Sequence, residues 1–147
     1  MRVVVETERD RERARKAVEA GTIPFTVNVA KGRPRSYRQN RLMRQWVKDL
    51  EEQGDMSAEE YRGWNKAYFG IPILLNENEY FAEQYEKTVR PLDYETKLAL
   101  MQAPFDFPVT RLMTVDQERR MLDAMYEYWT GQGFRLTDPD AAGLDQL

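Results

Sequence analysis

A chain of 147 residues can bury a hydrophobic core without disulfide or metal staples, as one domain of ordinary size or two small lobes. It has no cysteine and no histidine, which excludes disulfides, thiolate metal sites, cysteine nucleophiles, and the commonest general base and zinc ligand. The net charge of −3 conceals a division: residues 1–48 carry 13 Lys/Arg against 5 Asp/Glu (+8), residues 49–147 carry 9 against 20 (−11), so only the first third suits a polyanion.

The opening "MRVVVETERDRERARK" has too short an apolar run and too many charges for a signal peptide, and no window approaches the length of a membrane span. A soluble protein of a reducing cytoplasm is expected. "RVVVE" is β-branched and predicts a strand. "TERDRERARKAVEAG" predicts a helix, with Thr7 as N-cap, a thin apolar stripe of Ala14, Ala17 and Val18, and Gly21 at its stop. "TIPFTVNVA" alternates, setting Ile23, Phe25, Val27 and Val29 on one side of a half-buried strand that Pro24 marks as an edge. "KGRPRSY" is broken by Gly32 and Pro34, after which Ser36 can cap a helix over about 37–53.

Ser57 and Glu60 form a capping box ahead of a second short helix. "IPILL" then predicts a short extended piece, followed by helices around 77–89 and 94–101, with Pro72, Pro91, Pro104 and Pro108 as punctuation. Thr114 and Gln117 make another capping box, opening a helix whose stripe is Met121, Leu122, Met125, Tyr126 and Trp129, closed by Gly131 or Gly133. The fold class expected is α+β: an N-terminal β-α-β lobe, then a mainly helical lobe ending in a long amphipathic helix and a short extended tail. The boundaries are a basic α/β lobe over 1–54, an acidic helical lobe over 55–135 and a flexible tail over 136–147.

The central helix divides by face. At about 100° per residue, Leu42, Met43, Trp46, Val47 and Leu50 fall in one arc, and Arg38, Arg41, Arg44, Gln45 and Lys48 in the opposite one. Lys31, Arg33 and Arg35 lead into its N-terminus, where unpaired N–H groups already favour phosphate. Arginine's planar fork suits phosphate oxygens, and Tyr37 amid the cations could stack on an unpaired base. Gln39 is expected nearer the nucleic acid and Asn40 in a structural role. The plainer alternative is an ordinary amphipathic helix with a solvated basic face.

At "RSYRQNR", Arg35 to Arg41, the sequence resembles the phage NinB/Orf recombination family, in which a basic segment of the pattern R-S-x-x-Q-N-R opens a helix. "TVDQERRMLDAMYEYWTGQGFRLTDP" is similar to the C-terminal part of that family in layout and spacing. Arg44 stands where the family often carries an aromatic residue, and residues 65–108 match only in length and helical character. The resemblance implies a homodimeric recombination mediator, not an enzyme, that binds single-stranded DNA and works with the single-strand binding protein when recombinase loads. It would act in the host cytoplasm and need no cofactor.

Two other readings compete. A Mg²⁺-dependent nuclease needs little beyond carboxylates, and Asp49, Glu51 and Glu52, or Asp93 and Glu95, would be its ligands. A protein–protein adaptor without DNA binding would present Tyr61, Trp64, Tyr68 and Phe69 as an aromatic contact face, a cluster more simply explained as core or dimer interface.

Overall fold

The computed structural model describes residues 3–29 and 37–138, with the backbone alone at Tyr37. The chain divides into two compact units, Met1–Arg35 and Ser36–Leu147. The division places the central helix with the helices that follow it.

The first unit contains α1, Glu8–Ala20. Thr7 Oγ1 accepts from the Asp10 N–H at 3.2 Å, and the Asp10 carboxylate accepts from the N–H groups of Thr7 and Glu6. These bonds satisfy orphan donors of the first turn and lower the Asp10 pKa, the Glu6 N–H being the largest cause. At the other end Gly21 closes the helix on the Val18 carbonyl, with the Phe25 ring lying beside it. No residue of α1 is buried.

The expected β-α-β lobe is not found. Among the described residues there is no strand, and the protein is mainly helical rather than α+β. Residues 3–6 and 25–29 are irregular, and Ile23 and Val29 are 82% and 91% exposed. Alternation specifies which side chains share a side, but a strand also needs a neighbouring backbone to pair with. No such pairing exists for either segment among the described residues.

The second unit begins with α2, Tyr37–Gln53. α3, Ala58–Asn65, opens on the expected Ser57/Glu60 box. It continues without a break through one π turn, Lys66–Gly70, into α4, Ile71–Glu77. The segment expected to be extended is therefore helical: Pro72 sits in the first turn of α4, a position where a missing N–H is tolerated. Asn78 both ends α4 and caps α5, Glu79–Thr88, its side chain accepting from the Phe81 N–H at 3.0 Å. Asp93 caps α6, Tyr94–Met101. A 3₁₀ turn, Thr110–Leu112, precedes α7, Val115–Gly131, which opens on the Thr114/Gln117 box. Gly133, at φ 94°, takes the left-handed conformation that turns the chain back after α7.

The core lies where α2, the α3–α4 rod and α7 converge. Leu50, Leu74, Met101, Met121 and Met125 are completely or almost completely inaccessible, and Tyr61 meets Trp129 edge to face at 5.4 Å. Flexible methionines suit the irregular space beside a π turn. Gly70 permits the closest approach there, since a Cβ on it would strike Val109 Cγ1. The turn also buries Lys66, whose Nζ donates to the Met101 carbonyl at 2.7 Å and to Asp106 Oδ1 at 2.8 Å. Arg62 reaches the same Asp106 oxygen at 2.7 Å. Lys66 first, then Arg62, pulls the Asp106 pKa down to about 2. This clamp holds residue 106 at φ 48°, a conformation an L side chain seldom adopts.

Candidate nucleic-acid interface

The face of α2 turned inward carries the apolar arc: Met43, Trp46, Val47 and Leu50 are buried, with Leu42 partly so. Burial of that arc fixes which side chains must point out. Arg38, Arg44 and Lys48 are exposed, and Arg41 is half-buried. Arg44 and Lys48 make no ion pair among the described residues. From Arg38 to Lys48 the ridge rises about 15 Å along the helix.

The other expected site residues fall into two groups. Gln39 Nε2 donates to the Val115 carbonyl at 3.2 Å, tying α2 to the start of α7, and Gln45 Nε2 donates to Asp49 Oδ1 at 2.9 Å. Both amides are thus engaged within the fold, although each lies beside the ridge. Lys31, Arg33, Arg35 and the Tyr37 side chain lie outside the described residues.

Beside the ridge, between α2 and α7, is an open groove of about 550 Å³. Its floor is apolar and aromatic: Leu42, Leu122, Trp46 and Tyr126, the two rings 5.6 Å apart at 41°. Its polar lining comes from Arg38 and Gln39 on α2, Arg119 and Asp123 on α7, and Asp138. Arg119 bridges Asp116 at 2.7 Å and Asp123 at 3.3 Å, and Asp116 is the main cause of its raised pKa. Gln39 Oε1 is buried and accepts no hydrogen bond among the described residues. The groove residues on α7 and beyond were not anticipated from sequence. The available signal was the spacing of Arg119, Leu122, Asp123 and Tyr126, which at intervals of three and four share one helical face.

Asp138 reaches the groove because α2 grips the extended segment after α7. Gln53 accepts from the Arg135 N–H at 2.8 Å and donates to the Arg135 carbonyl at 2.6 Å. Two residues on, Asp49 Oδ2 accepts from the Thr137 N–H at 2.7 Å and its hydroxyl at 2.8 Å, while Trp46 Nε1 donates to the Thr137 carbonyl at 2.8 Å. Alternate residues of the strap thus have both backbone polar groups satisfied by one helix. The expected flexible tail begins within this strap, and residues 139–147 lie outside the described part.

Of the carboxylates considered as magnesium ligands, Asp49, Glu51 and Asp93 hold structural contacts. Both Asp49 oxygens are engaged as above, Glu51 accepts from the Ala58 N–H at 2.6 Å, and Asp93 caps α6. Among the described residues no group of three or more His, Cys, Asp or Glu is placed to hold a metal ion. Of the aromatic set, Tyr61 is buried and Trp64 and Phe69 are partly buried, while Tyr68 is 43% exposed, stacked on Trp64 at 4.1 Å and bonded through its hydroxyl to that of Tyr94. No helix among the described residues is long and apolar enough to cross a membrane.

Compared with known proteins, the chain matches no family model, no curated protein and no solved structure.

Proposed function

We propose that the protein binds single-stranded DNA as a phage recombination mediator of the NinB/Orf kind. In this reading it is a binding protein rather than an enzyme, and it works in the host cytoplasm as a homodimer alongside the single-strand binding protein. The observation that carries the reading is the outward ridge of α2, where Arg44 and Lys48 stand exposed without a carboxylate partner among the described residues. Such cations gain by replacing the counterions condensed on a phosphate backbone. The likeness of residues 35–41 to the family's basic motif supplies the biological setting. The acidic balance of residues 49–147 would discourage indiscriminate coating of duplex.

Fluorescence anisotropy with a labelled single strand, across a salt series, tests this. Arg44→Ala with Lys48→Ala should weaken binding and flatten the plot of log K against log salt by about 1.4, from about 0.7 per lost contact. Unchanged affinity and slope in a folded double variant would remove the ridge from the site. Cleavage of the labelled strand that EDTA abolishes would replace this reading with the nuclease one.

A further inference from the structure

We propose that the groove between α2 and α7 is a subsite for one unstacked base, guanine ahead of the others; this deepens, and rests on, the single-strand reading above. Four observations converge on it.

The first is shape. A volume of about 550 Å³ over an apolar floor lies within the roughly 300–1,000 Å³ of small-molecule sites. Tyr126, 47% exposed and leaning on the buried Trp46, offers an aromatic face that a strand's base can reach.

The second is charge. Arg38 and Arg119 are offset by Asp123 and Asp138, so the lining has no net attraction for a bare anion. A phosphate gains little there. A neutral ring that both donates and accepts suits a lining of mixed sign.

The third is position. With about 100° per residue, Arg38 lies between the ridge cations Arg41 and Lys48 on one side and the groove residues Leu42 and Trp46 on the other. A backbone following the ridge therefore passes the mouth of the groove, and a base turned inward would enter it.

The fourth is the acceptor set. The carboxylates of Asp123 and Asp138 line the groove and can receive hydrogen-bond donors from an entering base. Guanine's Watson–Crick edge sets an imino N–H beside an amino group, the strongest donor array of the four bases, and its O6 and N7 accept from arginine. Adenine and cytosine bring one amino group, thymine one imino group. The longer of the two Arg119 contacts, to Asp123 at 3.3 Å, is the one an entering base displaces, and Asp116 retains the guanidinium.

The full chain is titrated with dGMP, dAMP, dCMP, dTMP and inorganic phosphate by calorimetry and tryptophan fluorescence. It is then titrated with a labelled thymidine tract and the same tract carrying one central guanine. Expected are tightest binding of dGMP, negligible binding of phosphate, and about a tenfold preference for the guanine-bearing tract. Asp123→Asn, an exposed position on α7, should lower dGMP affinity about fivefold or more and erase that preference, without weakening binding of the plain tract. Phosphate binding as tightly as dGMP, or equal binding of all four nucleotides that Asp123→Asn leaves unchanged, overturns the subsite. The two readings fail separately. A plain tract bound with steep salt dependence but no guanine preference removes the subsite and keeps the strand. Asp123-dependent dGMP binding with no oligonucleotide bound keeps the base site and removes the strand.

Discussion

Helices α1 and α2 have the same net charge: five cations against four carboxylates in the first, four against three in the second. Their surroundings differ sharply. In α1 the signs are interleaved, so Arg11 pairs with Glu8 at 3.6 Å and Arg15 is held by both Glu12 and Glu19. In α2 the cations fill the first three turns and the carboxylates the last. Arg44 has no acid three or four residues away, and Lys48 makes no ion pair among the described residues. One helix buries nothing; the other buries a full apolar arc. Arg9, Arg13 and Lys16 of α1 also make no ion pair among the described residues, so charge order decides which cations pair, and the buried apolar arc is what sets α2 apart.

The contrast in anchoring predicts the largest effect. Leu50, fully inaccessible in the last turn of α2, should cost about 2–5 kcal/mol when cut to alanine. Val18, the largest apolar side chain of α1 and 45% exposed, should cost no more than about 0.5 kcal/mol. Urea denaturation midpoints at matched m-values measure both. A Val18→Ala loss rivalling that of Leu50→Ala would mean that α1 is packed in solution against something the described residues do not supply.

The same contrast explains how far the sequence could be read. Capping boxes are local chemistry, and those at Ser57 and Thr114 mark helix starts in the structure as they do in the sequence. Thr7 and Gly21 likewise bound α1. The apolar arc of α2 was legible because 3.6-residue periodicity needs no knowledge of the partner that covers it. Strands over the described residues 3–6 and 22–29 were misread because pairing depends on another stretch of backbone, and "IPILL" was misread because its β-branched residues are carried into a helix by the rod that precedes it. At the site, the ridge was visible in α2 alone. The groove was not, because Arg119, Asp123 and Asp138 join Arg38 only through tertiary contact, and Asp138 only through the strap.

That strap yields an intermediate effect. Asp49→Ala removes the acceptor of the Thr137 N–H and hydroxyl and the partner of Gln45, at a residue only 8% exposed. A loss of about 1–3 kcal/mol is expected, with faster amide exchange at Thr137 and Arg135 before any change in the α7 core. If the groove is a base site, this variant should also lose guanine preference, since Asp138 is positioned by the strap. Unaltered exchange at residues 135 and 137 would show that Trp46 and Gln53 suffice to hold it.

The smallest effect tests charge order directly. Glu12→Gln with Glu19→Gln removes both partners of Arg15 and raises the net charge of α1 by two. Unmasked in this way, α1 should gain single-strand affinity by less than about threefold, with the salt slope rising by no more than about 0.7, one added phosphate contact. Glu52→Gln changes a single charge, one turn beyond Lys48. Because it lies beside the anchored ridge, it should raise affinity at least as much as both α1 changes together. Anisotropy on the three proteins, wild type included, ranks them. If the α1 pair gives the larger gain per charge, binding follows the overall balance of the first 48 residues, and the ridge of α2 has no special claim to the strand.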